Sequence, residues 1–260
     1  MSALSATDLR DRCNLLRSLH RVGAPLILPN AWDVVTARAV VAAGYPVVAT
    51  SSEGVAAALG HDDEDRAPAD EMLAAAARIA ASVDVPVTVD AQAGYGMEPA
   101  ELVAALWAVA AAGCNLEDTD HAAGRLRDVD QQAEWLGAVR QAALAESYPL
   151  VINARVDPFF APFLADGSGP QEELVSEAVR RANAYLDAGV DCVYPIVLWE
   201  KPALQRFMSE VRGPVNVNCL PNGFTLAELV DLGVARVSWG PLLQWELLAH
   251  FSAMLAAIQV

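Results

Sequence analysis

Apolar residues follow two rhythms along this chain, and the rhythms take turns. Short runs rich in β-branched residues, most of them opened by Pro, read as buried strands: PLILPN (25–30), PVVATSS (46–52), PVTVDAQ (86–92), CNLEDT (114–119), PLVINARVD (149–157), DCVYPIVL (191–198), PVNVNCL (214–220) and ARVSWG (235–240). Between them lie longer Ala- and Leu-rich segments of helical spacing, among them DVVTARAVVAAG, ADEMLAAAARIAASV, PAELVAALWAVAAAG, LVSEAVRRANAYLDAG and TLAELVDLG, several ending at Gly where a left-handed cap fits. A leading helix over roughly residues 6 to 22 and a closing one in PLLQWELLAHFSAMLAAI flank the series. Eight strand-plus-helix units predict a parallel (β/α)8 barrel, with residues 1–260 forming one domain, over an open doubly wound sheet. The leading helix is expected to cover the barrel bottom or a neighbouring subunit.

Barrel enzymes keep their chemistry at the carboxyl ends of the strands, so the polar residues that fall there are the candidates. They are Asn30 and Asp33, Ser51 and Ser52, Asp90 and Gln92, Glu117 and Asp118, then Asn153, Arg155 and Asp157, with Tyr194, Asn216, Asn218 and Ser238 on later strands. Asp90 and Gln92 are two apart and share a strand face. Asp90 and Glu117 end neighbouring strands, and two carboxylates so placed repel unless a cation or a proton is shared. A hard divalent cation such as Mg²⁺, or Mn²⁺ in its place, would resolve the conflict, with one or two carboxylates, several waters and a chelating substrate completing its shell. The alternative is that Asp90 caps the AGYG turn and Glu117 pairs with Arg155.

Arg155 shares its face with Asn153 and Asp157 and could hold an anionic substrate through two parallel hydrogen bonds, or close an internal ion pair with Asp157 or Glu117. In AGYG (93–96), Gly94 lets backbone pass close to a ligand, and Tyr95 is a candidate proton donor alongside Tyr194. HDDEDRAP (61–68) reads as a polar loop over the barrel mouth following strand 2. His121, just past strand 4, is a candidate acid or base, whereas His20 and His250 fall in helical segments and read as structural or surface residues.

Composition narrows the class. The 54% hydrophobic and 19% charged content is that of a globular protein with ample core material. A net charge of −16 argues against nucleic acid or an anionic membrane as partner. The four cysteines are scattered, without a CxxC pair or a histidine cluster, which predicts neither zinc nor a disulfide framework. No signal-like start or long apolar span is evident, so a cytoplasmic protein is expected. A GxSxG elbow, a Walker motif and a post-strand GxGxxG are all missing, which leaves nucleotide chemistry without support.

The stretches LPNAWD, ATSSEGVAAALGHDDED, VPVTVDAQAGYG, GCNLEDT, INARVD and TLAELVDLGVARVSWGP together resemble the isocitrate lyase and phosphoenolpyruvate mutase superfamily, from about residue 24 to about residue 245. The resemblance implies a (β/α)8 barrel, Mg²⁺ near the strand ends, a 2-oxo acid or related carboxylate bound to it, and a homo-oligomer, dimer or tetramer, with exchanged C-terminal helices. It casts Asp90 as a direct metal ligand, Glu117 as a ligand acting directly or through water, Ser51 and Ser52 as the substrate carboxylate site, Asp63 as the acid of the gating loop, and Arg155 as the substrate-binding arginine.

Three departures accompany it. Gln92 stands where the DxDxGYG pattern has its second Asp, which removes one negative charge and weakens the hold on Mg²⁺. EDTDHAAGRLRD contains neither the KxCGH-type cysteine segment of the isocitrate and methylisocitrate lyases nor the lysine and asparagine of the phosphonopyruvate branch. YPIVL offers no histidine of the mutase kind. The resulting expectation is a Mg²⁺-dependent lyase or hydrolase of a small 2-oxo or dicarboxylic acid, acting through an enolate, with carbon–carbon cleavage ahead of a mutase or phosphonopyruvate hydrolase reaction. The alternative is a degenerate barrel that binds such an acid without turnover.

Overall fold

A computed structural model describes residues 5–62, 67–165, 170–221 and 223–258. The predicted strands form in order: β1 in two pieces, Leu26–Leu28 and Asn30–Ala31, then β2 Val48–Thr50, β3 Val87–Asp90, β4 Gly113–Leu116, β5 Val151–Val156, β6 Cys192–Pro195, β7 Asn216–Asn218 and β8 Arg236–Ser238. All pairings among them are parallel. The first piece of β1 pairs with β8 and the second with β2, so Pro29 sits where the strand changes partner. That fits proline, which has no N–H to give a ladder. A bridge between Val193 and Val215 joins β6 to β7 and closes the barrel.

The helices are α1 Ala6–Ser18, α2 Val34–Ala42, α3 Ser52–Leu59, α4 Ala69–Ala80, α5 Pro99–Ala108, α6 Val129–Ala145, α7 Phe160–Ala165, α8 Val175–Asp187, α9 Lys201–Glu210, α10 Leu226–Asp231 and α11 Leu242–Ala257. Local sequence sets several starts. Asp33 and Thr36 form a reciprocal cap on α2, Thr225 and Glu228 do so on α10, and Pro99 occupies the first turn of α5, where a missing N–H costs nothing. Gly60 ends α3 at φ +88°, a left-handed conformation that favours glycine.

α1 ends at Ser18, short of the expected residue 22, and leaves His20 in the following turn. The helix covers the barrel bottom, as one of the two expectations had it: Leu9, Cys13 and Leu16 are buried. A Cβ on Gly113, at the start of β4, would lie 2.7 Å from Leu16 Cδ2 and 2.8 Å from the Val151 carbonyl oxygen, so only glycine lets α1 come this close. Two elements were not legible beforehand. α3 separates β2 from the polar HDDEDRAP segment, so that segment does not follow strand 2 directly as expected. A hairpin pairing Thr119–Asp120 with Arg125–Leu126 rises between β4 and α6. All four cysteines are free, and no helix among the described residues is long and apolar enough to cross a membrane.

Candidate active site

β2 to β5 end side by side, and their last residues meet at the mouth. The Ser52 N–H at the start of α3 donates to Asp90 Oδ2 at 3.0 Å, while the Asp90 N–H donates to Thr50 Oγ1 at 2.8 Å. The Asp90 carboxylate is thus tied to α3 and its backbone N–H to β2; the favourable end of a helix dipole faces the carboxylate. Ser51 caps the same helix by accepting from the Gly54 N–H at 3.3 Å. Ser51, Ser52, Asp90, Asn115 and Arg155 all line one cavity of about 110 Å³, together with Asn30, Tyr194, Asn218 and Ser238.

Glu117 is buried one step further along β4. Arg155 Nη2 and His121 Nε2 each contact one of its two carboxylate oxygens. The Gln132 amide donates to its carbonyl at 3.0 Å, and its own N–H donates to the Gln92 carbonyl at 3.0 Å. Burial pushes the Glu117 carboxyl well above the usual carboxylate range, against the pull of Arg155. Arg155 also forks onto Asp157, Nε to Oδ1 at 2.7 Å and Nη2 to Oδ2 at 2.8 Å, and Thr119 Oγ1 donates to Asp157 Oδ2 at 2.5 Å. Burial opposes the Arg155 charge, but Asp157 and Glu117 hold it firmly protonated. Both internal ion pairs weighed for Arg155 therefore form together.

Behind this cluster stands a second one. Asp118 accepts from the Asp157 N–H at 2.9 Å, from Tyr185 Oη at 2.6 Å and from Arg181 Nη1 at 3.0 Å. It is fully enclosed, and this packing fixes the turn after β5 that carries Asp157.

The remaining candidates disperse. Asn153 sits lower in the barrel, its amide donating to Asn115 Oδ1 at 2.9 Å. Gly94 is buried at φ +86° against Trp135, with no room for a Cβ; it serves packing. Tyr95 points its hydroxyl at the Asp90 carbonyl, 3.4 Å away, and neither it nor Gly94 lines the cavity. Gln92 is buried at φ +49°. Asp63 lies outside the described residues.

Sequence reasoning missed Asn115 and Arg236. Arg236 is buried inside the barrel; its Nη2 donates to Asn115 Oδ1 at 3.1 Å, and its Nε and Nη1 have no protein partner among the described residues. An arginine inside an otherwise apolar strand, ARVSW, was the available signal. Asn115 receives both Arg236 and Asn153 on one oxygen, which fixes how its amide is turned at the cavity floor.

Does this set suit a divalent cation? Among the described residues, no group of three or more His, Cys, Asp and Glu is placed to hold one. The donors at hand are hard oxygens, however: the Asp90 carboxylate on the cavity, the Glu117 carboxylate, and the Gln92 amide. Glu117 and Asp157 set two carboxylates against the one guanidinium of Arg155, a surplus of negative charge that a cation would relieve. The residues fit Mg²⁺ held by few protein ligands and mostly by water or substrate.

A parallel (β/α)8 barrel whose strand ends gather Arg155, Asp90 and the N-terminus of α3 around one small cavity has the architecture of a barrel enzyme. Residues 16–259 match the family described as phosphoenolpyruvate phosphomutase, and the chain belongs to that family, within the superfamily it shares with isocitrate lyase. Over 222 residues it is 35% identical to an uncharacterised protein of Mycobacterium tuberculosis, covering 85% of this chain and 80% of that one. Over 228 residues it is 32% identical to a protein named probable 2-methylisocitrate lyase 2 of Corynebacterium glutamicum, covering 85% of this chain and 71% of that one. The solved structure of a candidate phosphonomutase from Burkholderia cenocepacia superposes with a TM-score of 0.88 at 38% identity, covering 95% of this chain and 99% of the other. The family is one of enzymes, and lyases stand among the named relatives.

Proposed function

We propose that this protein is a lyase, or a hydrolase of the same reaction class, that cleaves a carbon–carbon bond of a small 2-oxo or dicarboxylic acid through an enolate, with Mg²⁺ or Mn²⁺ as cofactor. One observation carries the reading: Asp90, Arg155 and the N-terminus of α3 face a single cavity whose 110 Å³ suits a short acid and not a nucleotide. The lyase named among its relatives supports it.

When bound, the cation would lend positive charge at the oxygen where negative charge collects as the bond breaks. Asp90 would hold it directly, with Gln92 and Glu117 acting through water. The rest falls to the chain's own side chains. Arg155, kept charged and immobile by Asp157, provides a fixed positive edge toward the same oxygen, and a fixed donor costs no reorganisation as the reaction proceeds. Ser51 and Ser52 at the start of α3 take the substrate carboxylate. Burial raises the Tyr194 hydroxyl far above its ordinary value, so it stays protonated and can donate into the cavity. His121 on Glu117 is a second proton carrier.

A second reading, an acid-binding barrel without turnover, draws on Gln92 and on the engagement of both Glu117 oxygens by Arg155 and His121. Purified protein incubated with a panel of 2-oxo and 2-hydroxy dicarboxylic acids plus Mg²⁺ separates the two. Release of pyruvate, glyoxylate or oxalate is expected; silence across the panel, together with metal-independent acid binding, would establish the binder instead. We further propose that the protein works as a homo-oligomer in the cytoplasm; the assembly is supported by the wide apolar surface of α11, where Trp245, Leu247, Leu248, Phe251 and Met254 are all exposed.

A further inference from the structure

Asn115 and Arg236 meet inside the barrel, and the direction of the hydrogen bonds around them follows from the arginine. Asn115 on β4 is level with Asp90 on β3 and Asn153 on β5, and parallel neighbours at one level turn their side chains to the same side of the sheet. A guanidinium only donates, so the Asn115 atom 3.1 Å from Arg236 Nη2 is the amide oxygen. Asn153 Nδ2 donates to the same oxygen at 2.9 Å, which occupies both of its lone pairs. The oxygen of Asn115 is thereby committed to the barrel interior. Its Nδ2, with two protons to give, has no protein acceptor among the described residues, and Asn115 lines the mouth cavity with Asp90.

Stability does not account for Arg236. It is buried, no carboxylate is paired with it among the described residues, and its Nε and Nη1 lack protein partners there. An enclosed charge in that condition is a cost to the fold, and an apolar side chain of like volume is often as stable in its place. Its hydrogen bond goes to an amide at the cavity floor. Resting on the acid-binding cavity of the reading above, we propose that Asn115 is a substrate-contacting residue whose amide N–H donates to an oxygen of the bound acid, and that Arg236 is the positioning residue that keeps the amide from turning over. Carboxylate and oxo oxygens are acceptors, so an amide held this way round receives them; turned over, it would set a carbonyl oxygen against the same groups. Asn153 alone would not impose the orientation, because two amides meet equally well with either pair of ends exchanged.

The test reads affinity and needs no turnover. Oxalate, whose oxygens only accept at neutral pH, is titrated by calorimetry into the intact protein with Mg²⁺ present, for wild type, Asn115→Ala, Arg236→Met and the double variant. Each single variant is expected to lose about tenfold in affinity, as when a hydrogen bond to a charged group is lost. The double variant is expected to lose no more than Asn115→Ala does, because Arg236 acts through Asn115. Arg236→Lys, another side chain that only donates, is expected to restore binding. Unaltered affinity in Asn115→Ala, losses that multiply in the double variant, or a wild type that binds no oxalate each overturn the inference. Should Arg236→Met not fold, Asn115→Asp keeps both the shape and the contact to the arginine, and unchanged affinity in that variant overturns the inference. The expected pattern alongside silence in the cleavage panel keeps the inference and removes the enzymatic reading; cleavage with equal oxalate affinity in all four proteins does the reverse.

Discussion

Arg155 grips Asp157 with two parallel hydrogen bonds, Nε to Oδ1 at 2.7 Å and Nη2 to Oδ2 at 2.8 Å, while the same guanidinium reaches Glu117. The fork that could have clasped a substrate carboxylate is therefore spent inside the protein. What Arg155 offers the cavity is a charged edge at a fixed position, backed by Asp157, Thr119 and Asp118.

Removing either partner has different consequences. Arg155→Lys keeps the charge but cannot reproduce the fork, and kcat/KM is expected to fall by about 100-fold or more, as when a preorganised donor is lost. Asp157→Asn leaves the buried guanidinium with one carboxylate in place of two, and unfolding in urea should show a loss of about 3–5 kcal/mol. Unchanged kinetics in the lysine variant would remove Arg155 from the site.

Gln92→Asp is expected to tighten Mg²⁺. The position is left-handed at φ +49°, which Asp accepts more readily than most residues. Restoring a negative charge beside Asp90 should lower the Mg²⁺ concentration for half-maximal activity by about tenfold, measured by metal titration of the chelator-treated enzyme. The same half-point in both proteins would show that residue 92 does not sense the metal.

His20 makes stability depend on acid. Burial, aided by the nearby Arg236 charge, lowers its pKa from the ordinary 6.5 to about 4. The unfolded chain then binds the extra proton first as pH falls, so stability is full above 6.5 and declines from there toward 4. The loss is on the order of 3 kcal/mol at the acid end. His20→Gln should flatten this part of the profile in chemical melts run across the window; an unaltered slope would place the effect elsewhere.

α11 exposes Phe251 at 53% and Leu248 at 52%, on a helix with Gln244 as its buried residue. An apolar surface of this extent asks for cover. Phe251→Glu is expected to move the protein toward a smaller species in sedimentation velocity, with helix content retained. If wild type and variant sediment alike as monomers, the oligomer proposal falls.

Much of this molecule could be read from its residues in order. Alternating short β-branched runs and helical repeats fix eight strands in sequence because burial on both faces demands continuous apolar strands, and parallel neighbours demand a helix between. The same pattern places Asp90, Glu117 and Arg155 at strand ends, since a charged side chain costs least where the barrel opens. α3 was not legible: SEGVAAAL sits between a strand end and a charged run, and its Ser51 cap resembles the tail of the strand.

What the residues alone left open was which acid meets which base. Glu117 lies 38 positions before Arg155, Asp118 lies 39 positions before Asp157, and Arg236 comes 121 positions after Asn115, so the contacts among them depend on how the barrel closes. Spacing along a strand tells which face a side chain takes, because the pleat repeats every two residues. That Glu117 meets Arg155 and His121, and that Arg236 meets Asn115, is settled only when strands far apart in the chain are brought round to a common mouth and each buried charge must find its partner there.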